Sequence, residues 1–470
     1  MIAKIKIQYS NNPFIQFLLI VFCCLLFVGA CRERVLPPDN GNGVHVPKLK
    51  IEAEDIGVTD CFIRLRFLDT SNVQAKIFLL TRDGKPLITN TLFTNDTLLL
   101  DEGLLPKRTY TYKAYRFINN TPIDSSLELL VPTLDTTSHN FTWQIDTLGD
   151  GNSSVLRDVF ILNDTLAYAV GEIYKKDSLG QWETEMYNMA KWNGKEWKLT
   201  KAYFEYQGRP YVTQLYSIYA FSENDIWVAS THPANWNGTK WIQYPLGSSF
   251  PGYPTKFWGT SSSNLYMVGT NGSIAFFNGA NWRRLELPPS AGQGGTDVNL
   301  TDVWGSPDGS VVWACGWEDF KPTVLLRMKN DILEKVYEDY NNRFKVRYDS
   351  LSGGLGSCWT NNNKYIYVLS SSGLYQTKNN TKGEARRYSF TNSYFPGFPW
   401  RVRGNAINDI FISGEYFMLA HFNGVSFKYF NQFYGDGRFK SLDQKGNQIV
   451  AVGYTFDPIH SRGIVIRGRR

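Results

Sequence analysis

The side chains here that could do chemistry are a scatter of acids, many aromatic rings and five histidines, so their spacing decides what they can do. Glu172, Glu318 and Glu415 each stand just past a short apolar run, close to Tyr174, Trp317, Asp319 and Tyr416. Two carboxylates set about 5–10 Å apart across a cleft can cleave a glycosidic bond, one protonating the leaving oxygen. The same groups also bind without reacting. Flat rings stack on sugars, acids hold hydroxyls, and Trp and Tyr anchor protein interfaces. With Tyr253 and Trp400, these residues form the candidate binding face, alongside loop aromatics such as Phe395 and Phe398. His45, His139, His232, His421 and His460 fall in no metal or triad spacing, and no Cys-x-x-Cys occurs. No catalytic residue, metal or cofactor is therefore assigned. His421, beside an Asn-Gly turn, reads as structural.

The N-terminus carries Lys4 and Lys6, an apolar stretch from Phe14 to Gly29, and then Val28-Gly29-Ala30-Cys31. This run is short for a spanning helix, which needs about 20 residues, and small residues stand where cleavage needs them. It resembles the lipobox of bacterial lipoproteins. The resemblance implies cleavage after Ala30 and a diacylglycerol on the Cys31 thiol, hence a membrane partner through the lipid. Arg32 follows Cys31 in place of a retaining aspartate, which points to the outer membrane or cell surface. Residues 31–45 read as a flexible tether. Of the other cysteines, Cys23 and Cys24 leave with residues 1–30. Cys61, Cys315 and Cys358 read as small buried hydrophobes, with a Cys315–Cys358 disulfide as the alternative in an exported chain.

Those functional groups need elements to position them, and composition says which. Aromatics make up 15% of the chain, with 40 glycines, and the patterns alternate, which favours an all-β protein. The formal charge of +6 comes without a basic stripe, so nucleic acid is not an expected partner. Residues 46–133 read as short strands, with a turn signal at Thr81-Arg-Asp-Gly-Lys85. Leu104, Pro106 and Tyr110, leading into an alternating run, resemble the signature of fibronectin type III domains. The resemblance implies a β-sandwich in which Tyr110 bonds its hydroxyl back to the preceding loop.

Residues 140–470 repeat themselves. Thr255-Lys-Phe-Trp-Gly259, Thr301-Asp-Val-Trp-Gly305 and Ser357-Cys-Trp359 each precede a second strand such as Asn264-Leu-Tyr-Met-Val-Gly269. Seven such second strands end at intervals averaging about 47 residues, the signature of a seven-bladed β-propeller. Asn-Gly pairs at 193, 237, 278 and 423 predict two-residue type I′ hairpins between third and fourth strands. The last unit lacks a fourth strand, and residues 140–147 match that pattern, so they are expected to complete it. The repeats resemble a group of bacterial secreted propellers and, more distantly, the Asp-box of sialidase-like propellers. No arginine cluster with a tyrosine nucleophile accompanies that likeness. The expectation is an all-β protein, a fibronectin type III-like sandwich followed by a seven-bladed β-propeller. Its role is non-enzymatic recognition of an envelope or extracellular protein or glycan, with a carbohydrate-active enzyme as the alternative.

Overall fold

The structure is a computed structural model describing residues 47–68, 75–247, 250–287, 295–340, 347, 350–378, 385–388, 397–457 and 459–470. The leader, Cys31, the whole tether and Phe395 lie outside the described residues. Apart from the 3-10 turn Asn431–Phe433, the regular elements bounded among the described residues are strands. No described helix is long and apolar enough to cross a membrane. The chain divides between Thr136 and Thr137 into two compact units.

In the first unit, one sheet joins Leu49–Ile56, Asp60–Phe67 and Asp96–Glu102. A second is built on Lys76–Arg82 and Thr109–Ile118. Alternation buries one side of each strand: Ile63 and Leu65 from one sheet meet Phe78, Leu80, Tyr112 and Ala114 from the other. The Asp83-Gly84 turn takes positive φ at both residues, as a two-residue type I′ hairpin requires. Tyr110, at the start of its strand, accepts the Leu105 N–H at 2.8 Å. Nearby, the buried Tyr112 hydroxyl donates to Asp101 at 2.5 Å, and Arg82 closes on the same carboxylate at 2.8 Å.

The second unit is a series of seven four-stranded antiparallel sheets among the described residues. The first strand of each sheet lies beside the first strand of the next, and Val155–Asn163 lies beside Gly437–Lys445, so the series closes on itself. The last sheet takes its outer strand from the start of the unit. Thr142–Leu148 pairs antiparallel with Gly463–Arg469, Leu148 opposite Gly463 and Thr142 opposite Arg469. Apolar side chains fill the spaces between sheets, as where Val159, Ile161 and Ala169 meet Val450, Val452 and Val465.

One local expectation needs correction. The Asn-Gly turns are four-residue loops, because Trp192 pairs with Trp197 and Phe422 with Phe427. Only the glycine takes positive φ, at 87–95° in these loops. Asn193 instead accepts the Lys195 and Glu196 N–H groups at 2.9 and 3.0 Å. Its side chain, rather than a left-handed backbone, makes the turn. Between a third and a fourth strand, a two-residue turn is found instead at Asn330-Asp331, where both φ are positive and Lys329 pairs with Ile332. Cys61, Cys315 and Cys358 are buried free thiols, as expected of small hydrophobes, and the alternative Cys315–Cys358 disulfide does not form. Burial pushes the Cys358 thiol well up, with Cys315 beside it adding to the effect.

Candidate functional site

Six of the seven first strands carry a β-bulge at the same place, at Arg157, Thr255, Thr301, Gly356, Trp400 and Lys440. A bulge leaves one residue out of the ladder and re-aims its side chain. Here it does so at the axis that the first strands surround. The glycine ending many second strands has its reason at the same point. A Cβ on Gly171, Gly269, Gly316 or Gly453 would run into the carbonyl two residues before the bulged one.

Directly after the bulged residues comes a buried polar ring. Asp158, from the first sheet, accepts from Ser217 at 2.7 Å, Lys256 at 2.5 Å and Ser441 at 2.7 Å, which belong to the second, third and last sheets. Asp302 receives Arg403 at 2.9 Å on each oxygen, Arg401 at 2.6 Å, and the Ser357 hydroxyl. Burial alone would raise both carboxyls. Arg401 and Arg403 instead hold Asp302 well below the usual carboxylate range, and Lys256 with Arg401 lowers Asp158. These charges bind sheets to one another across the axis.

At the bulges themselves the groups remain reachable. The Lys440 ammonium sits 3.3 Å from the centre of the Trp400 ring and has no hydrogen-bond or ion-pair partner among the described residues. Burial, reinforced by Arg401 and Arg438 and opposed by Glu415, pushes Lys440 down to about 7. Trp400 donates its indole N–H to Glu415 at 2.7 Å, and Glu415 also faces Arg438 at 3.3 Å. Arg438 in turn lies over Phe456 at 4.8 Å. Arg157, in the next sheet round, pairs with Glu172 at 2.6 Å.

The structure thus brings together only part of the expected face. Trp317 packs on Phe398 at 4.5 Å and Phe398 on Trp400 at 4.9 Å, joining those two tryptophans and Glu415 in one group. Tyr416, with φ of 58°, adjoins it through Phe456 at 6.0 Å. Tyr174 stays with Glu172, its hydroxyl pushed up by burial and by that acid. Glu318 pairs with Lys321 at 3.1 Å, on the same turn as Asp319. Tyr253 stands apart, 59% exposed. The acids weighed for glycoside cleavage are each tied to their own cation. The rings weighed as sugar platforms at 317 and 400 are covered by Phe398 and Lys440.

Sequence reasoning missed Lys440, Arg157 and the buried charges. Their signal was present: Lys256 and Asp302 stand two residues before the repeated Trp-Gly, and Arg401 and Arg403 flank Val402, all in otherwise apolar strands. It also missed a cluster near the start of the unit. There the ring nitrogens of buried His421 meet His139 at 2.8 Å and Asp409 at 2.9 Å, and Arg470 reaches Asp409 at 2.5 Å. No group of His, Cys, Asp and Glu suited to a metal occurs among the described residues.

No protein-family model matches the chain, and no curated protein matches it. Solved structures do. YCF48 bound to D1 peptide is 14% identical, covering 71% of this chain and 97% of that one with a TM-score of 0.50. YCF48 from Cyanidioschyzon merolae is 13% identical over 69% of this chain and 98% of its own, at 0.47. The RRP9 WD40 repeats are 11% identical over 70% and 100%, at 0.46. The second unit is a β-propeller. The first of these likenesses supports that fold alongside the closed series of sheets, and at such identity it carries nothing further.

Proposed function

We propose that this chain is a lipid-anchored envelope protein whose propeller binds a protein partner at the mouth of its axis. In this reading Cys31 holds the lipid at the outer membrane or cell surface. A tether and a fibronectin type III-like sandwich follow, the Tyr110 bond to Leu105 being the contact that supports the sandwich's kinship. Each four-stranded sheet is one of seven blades, and Thr142–Leu148 closes the last.

The observation that carries the reading is the bulge ring, which re-aims Arg157, Trp400 and Lys440 to one place and leaves the Lys440 ammonium without a carboxylate. An acidic group on a partner would complete that pair in a half-desolvated setting, where charge pairing is worth more than in water. The YCF48 structure holds a D1 peptide, so this scaffold can serve peptide recognition. The covered faces of Trp317 and Trp400 weigh against a sugar platform, and the cation-paired acids against glycoside cleavage.

Full-length protein in its native envelope, cross-linked and purified, tests the reading. Capture of one defined protein, reduced at least fivefold by Lys440→Gln or Tyr416→Ala in folded variants, is expected. Capture that neither substitution alters would remove the mouth as the recognition surface.

A further inference from the structure

Charged side chains at the axis close on one another. Arg157 meets Glu172 at 2.6 Å, Arg401 meets Asp302 at 2.6 Å and Arg438 meets Glu415 at 3.3 Å, so each of these acids already answers a guanidinium. Lys256, in the buried ring, is closed by Asp158 at 2.5 Å. Lys440 is the cation left over. The bulge between Phe439 and Ser441 takes it out of the ladder, and its Nζ rests 3.3 Å from the centre of the Trp400 ring. The residue is half-buried, yet the nitrogen keeps accessible surface: it has no bonding partner among the described residues and is not one of the polar atoms sealed from solvent.

An ammonium held this way has lost much of its water and gained no carboxylate. The indole face favours the charged form. Burial opposes it, Arg401, Arg438 and Arg157 repel it, and only Glu415 attracts it, which brings Lys440 to about 7. An ordinary lysine, titrating near 10.4, is uncharged in about one molecule in 2,500 at pH 7; here the free base is a major form. A desolvated lysine beside other cations is a nucleophile, and this one is both open to solvent and fixed in place by the strand that carries it.

We infer that Lys440 is a nucleophilic amine that takes up a carbonyl compound as an imine at the mouth of the propeller. The Nζ lone pair adds to the carbonyl carbon, and the carbinolamine so formed loses water, the carbonyl oxygen leaving with the two amine protons. No electrons pass to or from a third group. Protonation of the imine restores the positive charge that the neighbouring acids do not meet, so the fitting substrate is an aldehyde or ketone that also carries a carboxylate or phosphate. This chemistry goes beyond recognition of a protein partner and needs none, so capture at the mouth and reaction at Lys440 can each fail alone.

In the test, full-length protein in detergent, with no partner added, is treated at pH 7 with pyridoxal 5′-phosphate or glyoxylate, reduced with borohydride and mapped by mass spectrometry. Lys440 should carry at least ten times the label of the median lysine, and pyridoxal, which lacks the phosphate, should be at least threefold less effective there. Its labelling should level off above pH 8, while that of the exposed Lys195 and Lys240 goes on rising. Arg438→Gln removes a repelling charge and frees Glu415 for the lysine, and should cut the pH 7 label at least threefold; the wild-type profile serves by itself if that variant does not fold. Label at Lys440 no higher than the median, pyridoxal reacting as well as its phosphate, or a pH profile parallel to that of Lys195 would each overturn the assignment.

Discussion

Replacing Asp302 by Asn should destabilise the propeller more than replacing Arg403 by Met, although the arginine is the larger side chain. Asp302 is the shared counter-ion of two buried guanidiniums, with Arg403 on both oxygens at 2.9 Å and Arg401 at 2.6 Å. Arg403→Met removes the two bonds to the carboxylate, with those to the Val402 and Cys358 carbonyls, but leaves the carboxylate with Arg401, the Ser357 hydroxyl and the Cys358 N–H. A loss of about 3 kcal/mol follows. Asp302→Asn keeps the shape but takes the counter-charge from both buried guanidiniums, which are left with carbonyl acceptors, at about 5 kcal/mol, the upper end for a broken buried pair. At roughly 2 °C per kcal/mol for a domain of this size, the melting temperatures fall by about 6 and 10 °C. Tryptophan emission is the probe of choice, since all 14 tryptophans lie in the second unit and the signal reports that unit alone. The acid limb supplies an independent check. Asp302 is held below its ordinary value, so its contribution is complete above the unfolded value near 4 and drains away as pH falls below it. The gap between wild type and Asp302→Asn should therefore narrow in acid. An Asn variant within about 1 kcal/mol of wild type, or an Arg403→Met variant that is the weaker of the two, would refute the shared counter-ion argument.

Other perturbations separate the remaining claims. Gly453→Ala forces a methyl into the Arg438 carbonyl beside the Lys440 bulge and should cost at least about 3 kcal/mol, read as a urea midpoint; a neutral outcome means the bulge is not held by that close approach. Deleting residues 140–147 removes most of the ladder to Gly463–Arg469 and should lower the melting temperature by several degrees, while unchanged melting would count against closure by this strand. Burial and the neighbouring His421 push His139 down to about 4, below its unfolded value near 6.5, so the folded state binds fewer protons between them. Stability from this group is present above about 6.5 and lost as pH falls toward 4, on the order of 1–2 kcal/mol after allowing for its partial exposure; His139→Phe should flatten the dependence between pH 7 and 5, and an unchanged slope would exclude it as the source.

The repeat was legible because its physics is local. Period-2 alternation, turn residues and the glycine that ends the Val-Gly strands recur in the sequence wherever the same packing recurs, so the β content, the run of four-strand units and the strand pattern at 140–147 could all be read from one dimension. Cys31 and the leader rest on sequence alone, since they lie outside the described residues. Turn geometry was half legible: Asn-Gly marks a reversal, but whether two residues or four make it depends on which strand positions pair, as Trp192 with Trp197 shows. The site was the least legible part. Glu172, Glu318 and Glu415 look alike in sequence, and only the fold assigns each its own cation at Arg157, Lys321 and Arg438. Lys440 carries no motif, and it matters because a bulge aims it at Trp400 while no acid among the described residues pairs with it. Asp158 and Lys256 are 98 residues apart and bond only because the series of sheets closes. Sequence specifies what each strand buries on its own face; which charges meet across the axis is a long-range property, and that was decided by the tertiary structure.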